Sequence, residues 1–338
     1  MKAVGFYKSL PIANDEALVD LDLPVPVPGP RDLLVRVQAV SVNPVDTKVR
    51  ARVTPAEGQP HILGYDAVGI VEAVGSEASL FRPGDAVFYA GDITRSGTNA
   101  EFHCIDERIV GHKPASLSLA EAAAMPLTAI TAWEALFDRL DLRKAVPGAA
   151  HAILIVGGAG GVGSIATQLA RQLTDLTVIT TASRPETVAW SRALGAHHVV
   201  DHAKPLAAEV AALGLGKPGF VFSTTSTDRH LGQIVELIAP QGRFALIDDP
   251  DSLDVLPFKR KSVSTHWEFM FTRSMFATAD MAGQGQLLGE VARLVDAGTL
   301  KSTFAESFGT ISAANLRRAH ALIESGRAKG KIVLEGWA

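Results

Sequence analysis

The chain has 338 residues, 47% hydrophobic and 20% charged, with 32 basic against 36 acidic side chains for a net charge of −4. That length exceeds one small core and points to two domains of an ordinary globular protein, and the mild acidity argues against a nucleic-acid surface. A single cysteine, Cys104, excludes an internal disulfide and any cysteine-cluster zinc site.

The opening MKAVGFYKSL lacks the apolar core of a signal peptide, and no uninterrupted apolar run of roughly 18 residues is present. A reducing, cytoplasmic compartment away from membranes is therefore expected.

Residues 1 to about 120 read as β-rich. Leu33–Val40 is a strand after the proline-punctuated loop Pro24–Pro30, and Ala67–Gly75 is a second, with a bulge or bend at Gly69. Asp85–Tyr89 and Ala100–Cys104 follow, and such short strands between Gly and Pro turns suggest a small, partly open barrel. Ser118 with Glu121 three residues on is a capping box for a helix through Ala124, which Pro126 interrupts before another helix begins at Thr131.

From there the pattern alternates. Strands at Ile153–Val156, Thr177–Thr181, His198–Val200, Phe220–Phe222 and Arg243–Ile247 are separated by helical stretches, one of them Glu186–Leu194 with Gly195 just past its end. Alternation of this kind implies a parallel sheet with helices on both faces. Ser262–Phe271 extends that sheet at its edge, where its mixture of aromatic, Met and charged residues suits a subunit contact. Two amphipathic helices, Leu287–Val295 and Ile311–Ile323, precede a closing strand at Lys331–Leu334.

The most informative stretch is ILIVGGAGGVGSIATQLAR, from Ile153 to Arg171. A buried strand runs into Gly158, Gly160 and Gly163, with Gly161 and Val162 between them, and a helix carrying Ile165, Leu169 and Leu173 opens at once. In that context G-x-G-x-x-G means dinucleotide binding: residues without Cβ let the backbone turn tightly and approach a pyrophosphate at the positive end of the helix.

With Ser41-Val42-Asn43-Pro44-Val45-Asp46, Gly64–Val71, Pro126–Ala135 and Gly330–Leu334, this stretch resembles the medium-chain dehydrogenase/reductase superfamily over the whole chain. The resemblance implies an α/β protein with a GroES-like β-barrel catalytic domain (1–125 and 273–338) around an inserted doubly wound Rossmann domain (126–272). It also implies a cofactor cleft and a homodimer joined along Rossmann edge strands.

Zinc members of the superfamily place cysteine where Asn43 stands and histidine where Tyr65 stands, so an amide and a neutral phenol replace the ligands zinc prefers. Asp46, Asp66 and His61 do not make up the loss, and no metal is expected. Asn43–Asp46 instead resembles the zinc-free quinone oxidoreductase (zeta-crystallin-like) branch, from which the chain departs in carrying Lys48 where tyrosine is common.

NAD-binding Rossmann domains carry an acidic residue about 20 positions past the glycines. Here that place reads Thr181-Ala182-Ser183-Arg184-Pro185, without a carboxylate. Arg184 offers a fork of donors for a 2′-phosphate and Ser183 a hydroxyl, with Arg192 and His202 as supports, so NADPH is the expected cofactor. Arg184 reads also as a surface residue before a helix. Ser223 and Thr224 follow a strand at its C-terminal end, where nucleotide contacts concentrate, and Lys331 reads as a phosphate contact, a residue of the cleft or an exposed lysine.

The expected chemistry is hydride transfer to a quinone or other α,β-unsaturated carbonyl, with a protein donor for the developing oxyanion. By resemblance Asn43 lines the nicotinamide end, as donor or as the turn residue before Pro44. Asp46 reads as an orienting carboxylate, Tyr65 as a phenolic donor or a packed structural ring, and Thr128 as a nicotinamide contact or a helix cap. Three other readings stand beside this one. A 2-enoyl-thioester or alkenal reductase would use the Lys259-Arg260-Lys261 run for the substrate tail; the others are a zinc-type alcohol dehydrogenase and a non-catalytic, crystallin-like NADPH-binding protein.

Overall fold

The computed structural model describes residues 1–337. Its backbone divides into two units, one built from Met1–Ile130 and the chain from Phe271 onward, the other from Thr131–Met270. The first unit opens with β1 (Lys2–Phe6), β2 (Val19–Asp22), β3 (Asp32–Val42), α1 (Pro44–Arg52), β4 (His61–Ile62), β5 (Ala67–Val74), β6 (Ala86–Tyr89), β7 (Phe102–Asp106) and β8 (Val110–His112), then α2 (Leu119–Ala123) and α3 (Pro126–Trp133).

The second unit holds β9 (Ala150–Val156), α4 (Gly161–Leu173), β10 (Thr177–Thr181), α5 (Pro185–Ala193), β11 (His198–Val200), α6 (Leu206–Ala211), β12 (Pro218–Ser223), α7 (Thr227–Leu237), β13 (Arg243–Leu246) and β14 (Ser264–Trp267). The chain then returns through α8 (Thr272–Met275), α9 (Gly283–Asp296), β15 (Phe304–Ser307), α10 (Ala313–Glu324) and β16 (Lys331–Glu335).

In the first unit one sheet runs β15-β16-β3-β5-β6-β8, with β7 also pairing β3, and a three-stranded sheet runs β2-β1-β4. The β3–β5 register slips twice, skipping Glu72 and Gln38, and such bulges increase twist and bend the strands. The expected bulge at Gly69 is present, the second slip falling between its pairing with Val37 and that of Val68 with Ala39, and a Cβ on Gly69 would lie 2.3 Å from the Arg36 carbonyl.

The second unit is a parallel sheet in the order β11-β10-β9-β12-β13-β14, the doubly wound order whose direction reverses between its first and fourth strands. Ile153, Leu154, Ile155 and Val156 on β9 are all buried, as a central strand covered on both faces requires.

Three local expectations change. The helix from Ser118 ends ahead of Pro126 as expected, but the next one opens at Pro126 itself, where the missing N–H costs nothing, and not at Thr131. That helix continues into a π-helical stretch, Glu134–Arg139. Finally, α1 is a helix inside the region expected to be β-rich, and PVDTKVRAR has no apolar stripe to announce it. Among the described residues no helix is long and apolar enough to cross a membrane.

Candidate functional site

In the second unit the glycine turn follows β9 at the strand-order reversal. Gly157 takes φ +83°, and a Cβ on Gly158 would meet Thr180 Cβ at 2.5 Å, while one on Gly163 would sit 2.2 Å from the Gly157 carbonyl. Packing alone therefore demands those glycines. Gly160 differs: its φ of −71° suits any residue, and a Cβ would meet only the Gly157 carbonyl, at an ordinary 3.5 Å.

Gly160 is the N-cap of α4 and has no side chain to cap it. The first intrahelical bond runs from Ser164 N–H to the Gly160 carbonyl at 2.9 Å. The amides of Gly161, Val162 and Gly163 thus start the helix without intrahelical acceptors, a cradle for an anion.

At the neighbouring strand end Thr181 Oγ1 accepts from Gly157 N–H at 2.9 Å and lies 3.2 Å from His202 Nδ1. Ser183 is exposed, and Arg184 pairs with Glu186 at 2.9 Å. Arg192 does not join them. It sits at the far end of α5, about 12 Å along the axis from Arg184 by helical rise. Across the crevice mouth Ser223 Oγ bonds Thr227 Oγ1 at 2.7 Å, and Thr224 Oγ1 donates to the Val156 carbonyl at 2.8 Å, so both hydroxyls hold the strand ends. Of the basic run, Lys261 Nζ is spent on the carbonyls of Val235, Glu236 and Ile238 at the end of α7.

In the first unit a buried polar cluster gathers around Asn43. Asn43 is the N-cap of α1, ahead of Pro44. Asp46 accepts from Asn43 N–H at 2.7 Å and from Gly64 N–H at 3.0 Å. The Asn43 amide forgoes capping, a loss of about 1 kcal/mol to the helix, and turns to the cluster instead. Its Nδ2 donates to Asp66 Oδ2 at 2.8 Å, and its Oδ1 accepts from the Lys331 ammonium.

Lys331 Nζ also donates to the Val42 carbonyl at 3.2 Å and to Asp66 Oδ2 at 2.9 Å. Asp66 further accepts from Ser41 Oγ at 3.0 Å and, through Oδ1, from Leu127 N–H at the start of α3 at 2.7 Å. A carboxylate there faces the positive end of a helix. Desolvation pushes the Asp46 carboxyl up to about 7, against its two amide donors and the Lys331 charge, which act to lower it.

Two expectations for this cluster change. The Asn43 amide is committed on both sides to protein groups, so it orients rather than donates outward. Lys331 is not an exposed lysine; its ammonium lies inside the first unit, 3% exposed, on Asn43 and Asp66. Tyr65 is fully buried, its ring edge-on to Phe271 at 5.3 Å, and its hydroxyl has no hydrogen-bond partner. Burial first, then the Asp46 and Asp92 charges, hold its pKa well above the ordinary tyrosine, so the phenol keeps its proton. Thr128 Oγ1 donates to the Met125 carbonyl at 3.1 Å, a local bond at the start of α3. Asp66 is the residue the sequence conceals, because its four donors come from distant positions. Among the described residues no group of three or more His, Cys, Asp or Glu side chains is placed to hold a metal ion.

Residues 29–133 match the family model for the alcohol dehydrogenase GroES-like domain and residues 194–334 that for zinc-binding dehydrogenases. A zinc-type alcohol dehydrogenase-like protein of Staphylococcus aureus is 39% identical over 99% of both chains. A Rhizobium etli structure, provisionally described as a zinc-dependent alcohol dehydrogenase, shares 65% identity at TM-score 0.98, covering 100% of this chain and 98% of its own. A quinone oxidoreductase of Pseudomonas syringae shares 27% identity at TM-score 0.83 over 99% of each chain. With the two matched domains, the doubly wound sheet and the glycine turn, these likenesses make the chain an oxidoreductase of the medium-chain dehydrogenase/reductase superfamily, in its quinone oxidoreductase-like branch.

Proposed function

We propose that this chain is a zinc-independent, NADPH-dependent reductase of quinones or other α,β-unsaturated carbonyls. The observation that carries the reading is the donor set around Asn43: an ammonium where a metal would need lone pairs, beside a phenol with an unspent proton. Zinc takes thiolate, imidazole or carboxylate ligands. Here the Asn43 oxygen and Asp66 already serve Lys331, Asp46 serves two amides, and Tyr65 stays neutral. These residues do not fit zinc, and a second cation beside Lys331 would meet its repulsion.

The nucleotide end fits a dinucleotide. The open space at Gly160 and the uncapped amides of α4 suit a pyrophosphate, and Arg184 with Ser183 and His202 suits a 2′-phosphate. When bound, NADPH supplies the hydride. In the catalytic unit the Tyr65 hydroxyl donates to the oxygen on which charge develops. Asp46, Asp66 and Lys331 fix Asn43 and the Gly64 loop around it, and a buried setting makes each dipole count for more than in water. The assembly fits a homodimer: β14 is an edge strand with Trp267 56% exposed, and a free edge is a ready template for a second copy.

The test is NADPH oxidation across quinones, enals and enoyl thioesters, with zinc measured on the same sample. Turnover of quinones or enals with zinc far below one per chain is the expected result. Stoichiometric zinc, or alcohol oxidation restored by added zinc, overturns it.

A further inference from the structure

We propose that His202 and His230 form a proton-coupled reader of the cofactor's 2′-phosphate, so that preference for NADP(H) over NAD(H) sharpens as pH falls. This rests on the NADPH reading above and adds His230, on the first turn of α7, to the residues that determine cofactor choice.

The geometry is a chain of contacts leading out of the glycine turn. Gly157 N–H reaches Thr181 Oγ1 at 2.9 Å, Thr181 Oγ1 reaches His202 Nδ1 at 3.2 Å, and the His202 ring lies 6.3 Å from the His230 ring, tilted by 54°. Thr181 ends β10, the strand whose end carries the ribose-reading residue in this fold. His202 is thus tied to the place where a 2′-substituent is recognised, with His230 behind it. The threonine hydroxyl can give its hydrogen to a neutral Nδ1 or accept one from an imidazolium, so His202 stays bonded in both states.

The charged groups around the pair favour a switch. Asp201 and Arg184 face His202, Asp228 and Asp248 face His230, and Arg229 on α7 faces both. Two of the carboxylates are already engaged: Asp201 accepts from Ala203 N–H at 2.9 Å, and Asp248 from Thr227 N–H at 2.8 Å. Burial first, then Arg184 and Arg229 at His202 and the His202 ring and Arg229 at His230, hold both imidazoles below the ordinary histidine pKa. Near neutrality the two rings of the free site therefore add little positive charge to that of the arginines. A dianionic phosphate between Arg184 and the two rings favours their charged forms, and the protons come from solvent. Linkage then requires tighter binding as pH falls, until the phosphate itself takes a proton near its second pKa of about 6.

Calorimetry of the intact protein tests this. NADP+ and NAD+ are titrated at pH 7.5 in two buffers of different ionisation enthalpy, which reads proton uptake. At that pH the free phosphate is almost wholly dianionic, so uptake belongs to the protein. The expected result is greater uptake for NADP+, approaching about one proton per chain, and an NADP+/NAD+ affinity ratio that rises about tenfold between pH 8 and 6.5. Both effects shrink in H230Q and vanish in the H202Q/H230Q double variant. Equal uptake for the two nucleotides, with NADP+ still bound more tightly, overturns the histidine reader and leaves the NADPH reading standing. Equal affinity for both nucleotides overturns the NADPH reading itself, and the proposal with it.

Discussion

The two glycines that matter most at the nucleotide end fail in opposite ways when given a methyl group. In Gly163→Ala the Cβ falls 2.2 Å from a backbone carbonyl, so the turn itself must break; the variant should show a lowered melting temperature even without ligand. Gly160→Ala meets only ordinary contacts at a permissive φ. It should melt like the parent while losing tenfold or more in NADPH affinity, by fluorescence titration; unchanged affinity would remove the pyrophosphate from this cradle. Arg184→Glu should weaken NADPH roughly tenfold or more and leave NADH within a few-fold, and equal loss for both would defeat the 2′-phosphate assignment. Tyr65→Phe keeps the buried ring and removes the unpartnered hydroxyl. The expected outcome is a kcat about 10²-fold lower with cofactor affinity and melting temperature unchanged.

Elements explain why parts of this site could be read from sequence and parts could not. The strand–glycine–helix unit is local, so its apolar run, spacing and helical period are visible within Ile153–Arg171, and the structure departs from them by a few residues at most. The Asn43 cluster is assembled from β3, the start of α1, the loop before β5, the start of α3 and β16, with Lys331 and Asp66 separated by 265 positions. No periodicity reports such a contact, and a lone lysine in Lys331-Ile332-Val333-Leu334 reads by default as exposed. Likewise α1 hides because it packs around an orienting carboxylate rather than an apolar stripe. Removing the cation from this cluster should be costly. Lys331→Met strands the buried Asp66 charge, and denaturant unfolding at pH 7 should register a loss of about 3–5 kcal/mol. Asp46 carries a pH signature of its own. Its folded pKa of about 7 lies above the ordinary carboxyl value of 3.8, so its contribution to stability is fully present below pH 3.8 and is lost as pH rises through 7. Asp46→Asn should flatten that part of the stability–pH profile.

For the molecule as a whole, composition supplied the exclusions and the alternating pattern supplied the parallel sheet. The return of the chain into the first unit was legible only through the family resemblance, since nothing in Leu287–Val295 or Lys331–Leu334 names its partner strands. The edge strand β14 makes a whole-molecule prediction: sedimentation should give a dimer, and Trp267→Asp should shift it toward monomer. The place of Lys331 on β16 bears also on how the protein is made. At about 5–20 residues per second, Asp66 leaves the ribosome on the order of tens of seconds before the lysine that neutralises it. Through that interval the nascent first unit carries a carboxylate with no counter-charge and lacks the strand on which β3 and β15 close. A ribosome-bound chain arrested short of Gly330 should therefore expose its first lobe to protease and to chaperones, and release of the last strand should be the moment at which both let go.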